Sequence, residues 1–429
     1  MKLLRTACAV LSAHLVVLAG LAAAQSVHVV DPAGGGDFTS LQAAVDAAAD
    51  GDAIIVVAAQ PVTLIDNAVE IVDKGVVIMG IDSASGFQPR FGRFAVLGLS
   101  AGKSVIVRNI RVQSSGTFTP FELTGCAGAV LFEDCSGTAG SGSFGTIPQF
   151  VIQQSSHVVL TRCDFDGANG APGAVQSTTG GPGLVVEEST VAIYDSTITG
   201  GFGIYAQFIG DFLLNVATEG GQGLQIWSGN VFVSGSAIRG GNGGGGAQSA
   251  SGTSCSPPKK GGAGLRTYGH LTRLDSTIEG GEPGFVPACA SPANPGADIV
   301  LQDDGSVSEV PELSRELVIS SPVESNGSCN VAIHGQPGDN VVLLQSLVGF
   351  GQLHAGLKGA LAGQPPYFTI LLGAIGPNGN LVFNVHLPPG PLPAGIEAVT
   401  LIEQVLTGAD SGGGLLSSPS VITIVDNLP

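Results

Sequence analysis

The sequence predicts an all-β protein: a right-handed, single-stranded parallel β-helix with an N-terminal capping helix, followed by a small β-sandwich. Three observations carry this. Apolar residues alternate in runs of three to five, each ended by glycine or a polar residue, which is the period of short strands. A 20-residue unit recurs in the middle of the chain, and a unit that short buries its apolar face only by stacking on copies of itself. Glycine makes up 66 of 429 residues without a collagen period. With only 12% charged and 44% hydrophobic residues, the chain is neither a disordered polyelectrolyte nor a coiled coil.

The first element, residues 1–24, reads as a signal peptide. Lys2 and Arg5 precede an apolar run from Ala7 to Leu21, and Ala22-Ala23-Ala24 supplies the small residues of a cleavage site. The run is about 15 residues where a membrane span needs roughly 20, so no transmembrane segment is expected in the mature chain. Cleavage leaves 14 basic against 34 acidic residues, a net charge of −20. Such a charge excludes nucleic acid as a partner, which requires clustered Lys and Arg. A secreted or cell-surface protein is implied.

The β-helix is assigned to residues 25–305. Its opening places Leu41, Ala44, Val45 and Ala48 on one helical face, with Ser40 as N-cap and Gly51 as terminator. The repeat then reads Gly-x-Gly-aliphatic, Val-x-Val, a polar turn and x-Ile-x-Gly, beginning at Gly181, Gly201, Gly221 and Gly262. Asp195, Asn215, Gly235 and Asp275 line up as turn residues, with weaker copies at Asn109, Asp134 and Arg162. Val191, Ile193 and Ile198, like Val231, Val233 and Ile238, should point into the bore. Cys135, Cys163, Ser196, Ser236 and Ser276 should form an inward column of small residues just after the turn.

Asp31-Pro-Ala-Gly-Gly-Gly-Asp-Phe-Thr-Ser-Leu-Gln-Ala-Ala-Val-Asp46, continuing to Val56, resembles the opening of the pectin-lyase-like superfamily, pectin methylesterases especially. The resemblance implies a β-helix whose first coil is capped by a helix. It covers this opening and, loosely, the repeats to about residue 300. The activity does not carry over with it: the Gln-Asp-Thr-Leu, Asp-Phe-Ile-Phe-Gly-Asn and Leu-Gly-Arg-Pro-Trp stretches of methylesterases are absent, and Gln302-Asp303 runs into Asp304-Gly305. The calcium-binding Asp cluster of polysaccharide lyases is absent too, so no cofactor or metal is expected; Ca2+ would be possible but has no motif behind it.

Arg162, Asp164 and Asp166 should share an outward face around inward Cys163 and Phe165, a geometry able to hold a metal or supply an acid and a base, although a solvated face with an ion pair is the commoner meaning of such a pattern. Turn residues from Asn109 to Asp195 are spaced 25, 28 and 33 apart. The excess must leave as loops near 114–127, 137–154 and 167–180, walling a cleft over Arg111, Ser136 and Asp164. Arg111, Arg162, Asp164 and Asp166 are the catalytic candidates. Trp227 and Tyr268, each three residues after a repeat leucine, should emerge in one outward column and stack on a sugar, or else pack beneath the insertion.

The Gly-rich insertion 241–262 reads as low-complexity and flexible. Removing the leader leaves six cysteines: Cys126, Cys135, Cys163, Cys255, Cys289 and Cys329. A disulfide between Cys255 and Cys289 is the simplest pairing across adjacent loops. Ser306 to Pro311 reads as a linker. Seven short strands from residue 317 to 425 with Pro-Gly and Asn-Gly turns predict a β-sandwich over 312–429. It resembles the terminal domains of large exported bacterial proteins, which implies no chemistry. Two functions remain. The first is a non-catalytic exported β-helix that binds a glycan or serves a structural or adhesive role, with a polysaccharide or cell-surface component as partner. The second is a carbohydrate-active enzyme, whether polysaccharide lyase, pectinesterase-like or glycoside hydrolase, on the same scaffold.

Overall fold

The structure, a computed structural model, describes residues 25–428 apart from 59–64, 84, 115–117, 141–146, 173–176, 286, 289, 355, 388–389 and 411. The expected leader and Cys289 therefore lie outside the described residues. Among them, three parallel sheets of ten, seven and eight strands stack coil upon coil, here sheets A, B and C. A complete coil contributes one strand to each sheet, as in Ala129–Glu133 (A), Ser136–Thr138 (B) and Phe150–Gln153 (C). Neighbouring coils pair in register: Val158 with Val191 and Val191 with Val231 in sheet A, and Phe165 with Ile198 and Ile198 with Ile238 in sheet B. The expected β-helix is the architecture.

Alternation explains the bore. Val191, Ile193, Ile198, Val231, Val233 and Ile238 are all buried in one continuous core. Phe121, Phe132, Phe150 and Phe165 fill its middle, with ring centroids 5.2–5.6 Å apart. The turn column is defined by left-handed backbone at Asn109, Asp134, Arg162, Asp195, Gly235 and Asp275. Directly after it the expected small-residue column is a hydrogen-bonded ladder. Cys163 N donates to Ser196 Oγ, Ser196 N to Ser236 Oγ and Ser236 N to Ser276 Oγ, at 3.0–3.1 Å, and each serine hydroxyl donates back to the carbonyl two residues earlier. A second ladder, Cys126–Ser155–Ser189, runs between sheets C and A. The capping helix spans Leu41–Ala47 and buries Leu41, Ala44 and Val45. It stops before Gly51, and Asp66 joins Ser40 at its start by accepting from Leu41 N and Gln42 N.

The 20-residue period fails at one place. Val191 pairs with Val231, 40 residues on, so Gly201–Gly220 is no coil of its own. It leaves the helix, turns back as an antiparallel hairpin (Gln207–Ile209 with Phe212–Asn215) and returns; Asn215 is a hairpin residue, not a turn residue. Residues 241–262 do the same, with Ala247–Gln248 paired to Cys255–Ser256. The stems of these excursions are ordered, contrary to their low-complexity reading. Gly201 N donates to Gly181 O, Gly221 N to Gly201 O, Gly241 N to Gly221 O, Gly262 N to Gly241 O and Gly281 N to Gly262 O, each at 2.8–2.9 Å. A Cβ at Gly221, Gly241, Gly262 or Gly281 would overlap a carbonyl oxygen of the adjacent coil. Glycine is required here because backbone packs directly on backbone, and the bonds between strands satisfy groups that a loop would leave to water.

All seven expected strands form the C-terminal sandwich, from Glu316–Ile319 to Ser420–Val425. Its three- and seven-stranded sheets enclose a core including Leu317, Ile333, Leu343, Val385 and Leu401. Ser306–Val310 is not a linker but the last strand of sheet A, paired to His270–Leu274 with Val307 opposite Leu271. Its polar Ser306, Ser308 and Glu309 hid the alternation. The sandwich lies against the outer face of sheet A. There Ala53, Ile55, Val77, Met79, Leu131, Tyr194 and Phe232 meet Ala360, Ile402, Leu415, Val421 and Val425.

Candidate functional site

With sheet A covered, the outward faces of sheets B and C are where a ligand can approach. On sheet B, Arg90, Arg111, Ser136, Asp164 and Thr197 stand in one register column, and Gln113, Thr138, Asp166 and Thr199 in the next. The strand Asp164–Asp166 buries Phe165 inward and turns both carboxylates out. Burial pushes the Asp164 carboxyl up, opposed by the Arg111 charge. Burial also raises Asp166, and the Asp164 charge adds to it, opposed by a hydrogen bond from Thr199 and by Arg111. Of the expected cleft walls, parts of each loop fall outside the described residues; Ala139, Ile147 and Ala168 pack the described parts of the second and third together.

The column begins in a cavity of about 460 Å3 lined by Phe87, Gln88, Arg90, Asn109, Arg111 and Gln113, with Asp82 and Gly86. Its amides are fixed in place. Gln88 Nε2 donates to Asn109 Oδ1 (2.7 Å) and Asp134 O (2.8 Å), while Ser136 Oγ donates to Gln88 Oε1 (2.7 Å). Arg90 Nη2 donates to Gln113 Oε1 (2.5 Å), and Asn109 Nδ2 to Asp82 Oδ1 (2.7 Å). Nε of Arg111 is buried without a hydrogen-bond partner. Phe87 is held by a tight turn in which Gly86 N donates to Ser83 O and Phe87 N to Ser83 Oγ, and it presents an exposed ring beside these polar groups. Aromatic face, guanidinium and preset amides in one concavity are the elements of a site for a polyhydroxylated ligand.

Arg162 does not join Asp164 and Asp166. It occupies the left-handed turn position (φ 50°), which breaks the two-residue alternation before the strand starts. Its guanidinium turns toward the sandwich, pairs with Glu133 and Asp134, and donates to Leu317 O. Arg108 reaches Ile319 O and Val421 O from the same cluster, and Glu133 accepts from Ser420 Oγ and Val421 N. The acid–base constellation expected from the sequence is thus divided between an interdomain clamp and the groove, which keeps Arg111, Asp164 and Asp166.

On sheet C, Trp227 and Tyr268 emerge in the same column: Trp227 N donates to Val186 O and Tyr268 N to Ile226 O. Their rings stack on each other, 5.1 Å apart and 13° from parallel, with the Arg266 guanidinium 5.8 Å from the Tyr268 centroid. Each ring therefore spends one face on its neighbour, and the pair forms one block with Trp227 45% exposed. Further along the column Glu187 accepts from Gln153. Cys255 is disulfide-bonded, while Cys126, Cys135, Cys163 and Cys329 are free buried thiols. Among the described residues no three His, Cys, Asp or Glu side chains are grouped to hold a metal, and no helix is long and apolar enough to cross a membrane.

The sequence reading missed Phe87 and Gln88, which no repeat marks, and the apolar hairpin 205–216, which the repeat disguised as a coil. No protein-family model matches the chain, and no curated protein does. Among solved structures it is similar to the enzymatically active domain of bacteriophage CBA120 tailspike protein 2, at 10% identity over 90% of this chain and 73% of that one, with a TM-score of 0.25. A superposition that loose carries no weight here, and the class, a parallel β-helix bearing a β-sandwich on one face, rests on the strand register above.

Proposed function

We propose that this is an exported glycan-binding protein that does no chemistry on its ligand. The carrying observation is the cavity where the Phe87 ring, the buried Arg111 Nε and the amides of Gln88, Asn109 and Gln113 converge. The Trp227–Tyr268 block supplies a second contact on the neighbouring flank. The diversion of Arg162 into the domain interface, where it pairs with Glu133, supports a binding role, because it removes one of the four expected acid–base candidates. Export rests on the leader, and a cell-surface polysaccharide is the partner this reading favours.

A panel of neutral and acidic polysaccharides, read by calorimetry and by release of reducing ends, tests it. Binding without product release is the expected outcome. Phe87→Ala with Arg111→Ala should weaken binding at least tenfold, on the order of 1–3 kcal/mol for a lost aromatic contact. Trp227→Ala with Tyr268→Ala should weaken it as well, with thermal unfolding nearly unchanged. The second reading, an enzyme, is favoured by one observation: Asp164 and Asp166 stand side by side with raised pKa values next to Arg111. Product release that disappears in Asp164→Asn or Asp166→Asn would establish that reading and sink the first.

A further inference from the structure

The crest of the glycine stems is apolar and uncovered. Phe212 is 85% exposed, Phe285 72% and Tyr205 69%, and Ile209, Leu213, Leu214 and Val216 are exposed beside them. Tyr205 lies over Gly245 next to Phe285, so excursions from successive coils join in one surface. Ala250 N donates to Gly210 O, and Ser251 holds Asp211 through its N–H and Oγ, which ties the two hairpins together. The crest is thus a preset surface on hydrogen-bonded stems.

Both faces of the strand Phe212–Asn215 are open, and its two-stranded sheet has no third strand among the described residues. At roughly 200 Å2 for each large side chain, the exposed part amounts to on the order of 800 Å2. That exceeds the few hundred Å2 usual for a monomer's apolar patch and equals one partner's share of a stable interface, about 800 Å2. The chain covers its other outward apolar surface, that of sheet A, with its own sandwich, but among the described residues none covers this one.

We propose that the crest is a self-association surface whose occupant is the crest of a second copy. Charge selects this occupant. The chain carries a formal charge of −18, and the only charged side chain on the hairpins, Asp211, is already held by Ser251. An anionic lipid surface would find no Lys or Arg on the hairpins to hold it. Two copies, by contrast, meet through hairpins on which neither presents a free charge. The unpaired hairpin edges add a directional element: the same strand in two copies pairs antiparallel about a two-fold axis, which closes the assembly as a dimer.

Sedimentation velocity of the mature protein at increasing concentration tests this. The expected result is a reversible dimer for the wild type and a monomer for Phe212→Asp with Leu213→Ser, while Trp227→Ala stays dimeric. Circular dichroism and thermal unfolding of the crest variant should match the wild type, because the hairpin projects from the coils. Hydrogen exchange on the unmodified protein gives a second readout, with amides of 207–215 becoming protected as concentration rises. A wild type that stays monomeric at high micromolar concentration overturns the proposal. So does a dimer that survives the crest substitutions, or a monomer that floats with phosphatidylcholine vesicles, which would make lipid the occupant.

Discussion

At the residue scale, the serine after each of the turns at Asp195, Gly235 and Asp275 does what no apolar residue of its size can do. Ser196 Oγ accepts from Cys163 N and donates to Tyr194 O, closing two backbone groups where the chain bends from sheet A into sheet B. Ser196→Ala should leave Cys163 N buried without a partner and cost about 1–3 kcal/mol in denaturant unfolding. A cost near zero would mean that the ladder is incidental. Glu403 is a different case: it is buried in the sandwich, where one carboxylate oxygen accepts from Gln345 Nε2 and the other has no partner. Burial raises its pKa to about 8, opposed by the Gln345 bond. A carboxyl raised above its unfolded value contributes stability below about pH 4.5 and loses it as pH rises through about 8. The wild type should therefore weaken between pH 5 and 9, by about 2 kcal/mol or more at ~1.4 kcal/mol per unit. Glu403→Gln should flatten that slope, and chemical denaturation at several pH values measures it.

At the element scale, the glycine stems depend on the absence of a side chain. Gly241→Ala places a methyl against Gly201 O, so a stem must move, and overpacking of this kind costs about 1–3 kcal/mol. Gly408, with open space around it and ordinary φ, is the matched control and should accept Ala with little change. A Gly241→Ala protein as stable as the Gly408→Ala control would show that the stems tolerate slack. Cys255 is disulfide-bonded, and we propose Cys289 as its partner, stapling two of these excursions. Peptide mapping without reduction should recover the two cysteines linked, and a Cys255 linked elsewhere would reject that pairing.

At the scale of the whole molecule, the helix and the sandwich share a charged clamp set in an apolar interface. Glu133 neutralises Arg162 and Arg108 while accepting from Ser420 and Val421. Glu133→Ala leaves two guanidinium groups short of their buried counter-charge, a loss of about 3–5 kcal/mol. Calorimetry should then show separate transitions for helix and sandwich where the wild type is expected to unfold in one. A single, unshifted transition would mean that the apolar contacts alone hold the two parts together. Asp195 belongs to the same interface: burial raises its carboxyl to about 7, and one of its oxygens is buried unpartnered.

Local sequence determined the coil, because every residue class in it answers a local demand. Val191 and Ile193 alternate into the bore, Asp195 takes the left-handed turn and Ser196 closes it, so equal classes recur wherever equal geometry does. The same logic placed Arg111, Ser136 and Asp164 in one column and Trp227 beside Tyr268. Tertiary structure alone decided the rest. Arg162 looked outward by alternation, but alternation holds only within an extended run, and its turn aims it at a domain 155 residues away. Gly201–Gly220 matched the repeat in residue class yet left the helix, since glycine suits a backbone stem as well as a coil corner. Which apolar face is covered, sheet A by the sandwich, and which stays open, the crest, depends on surfaces brought together only after the coils have stacked, and no local period records that meeting.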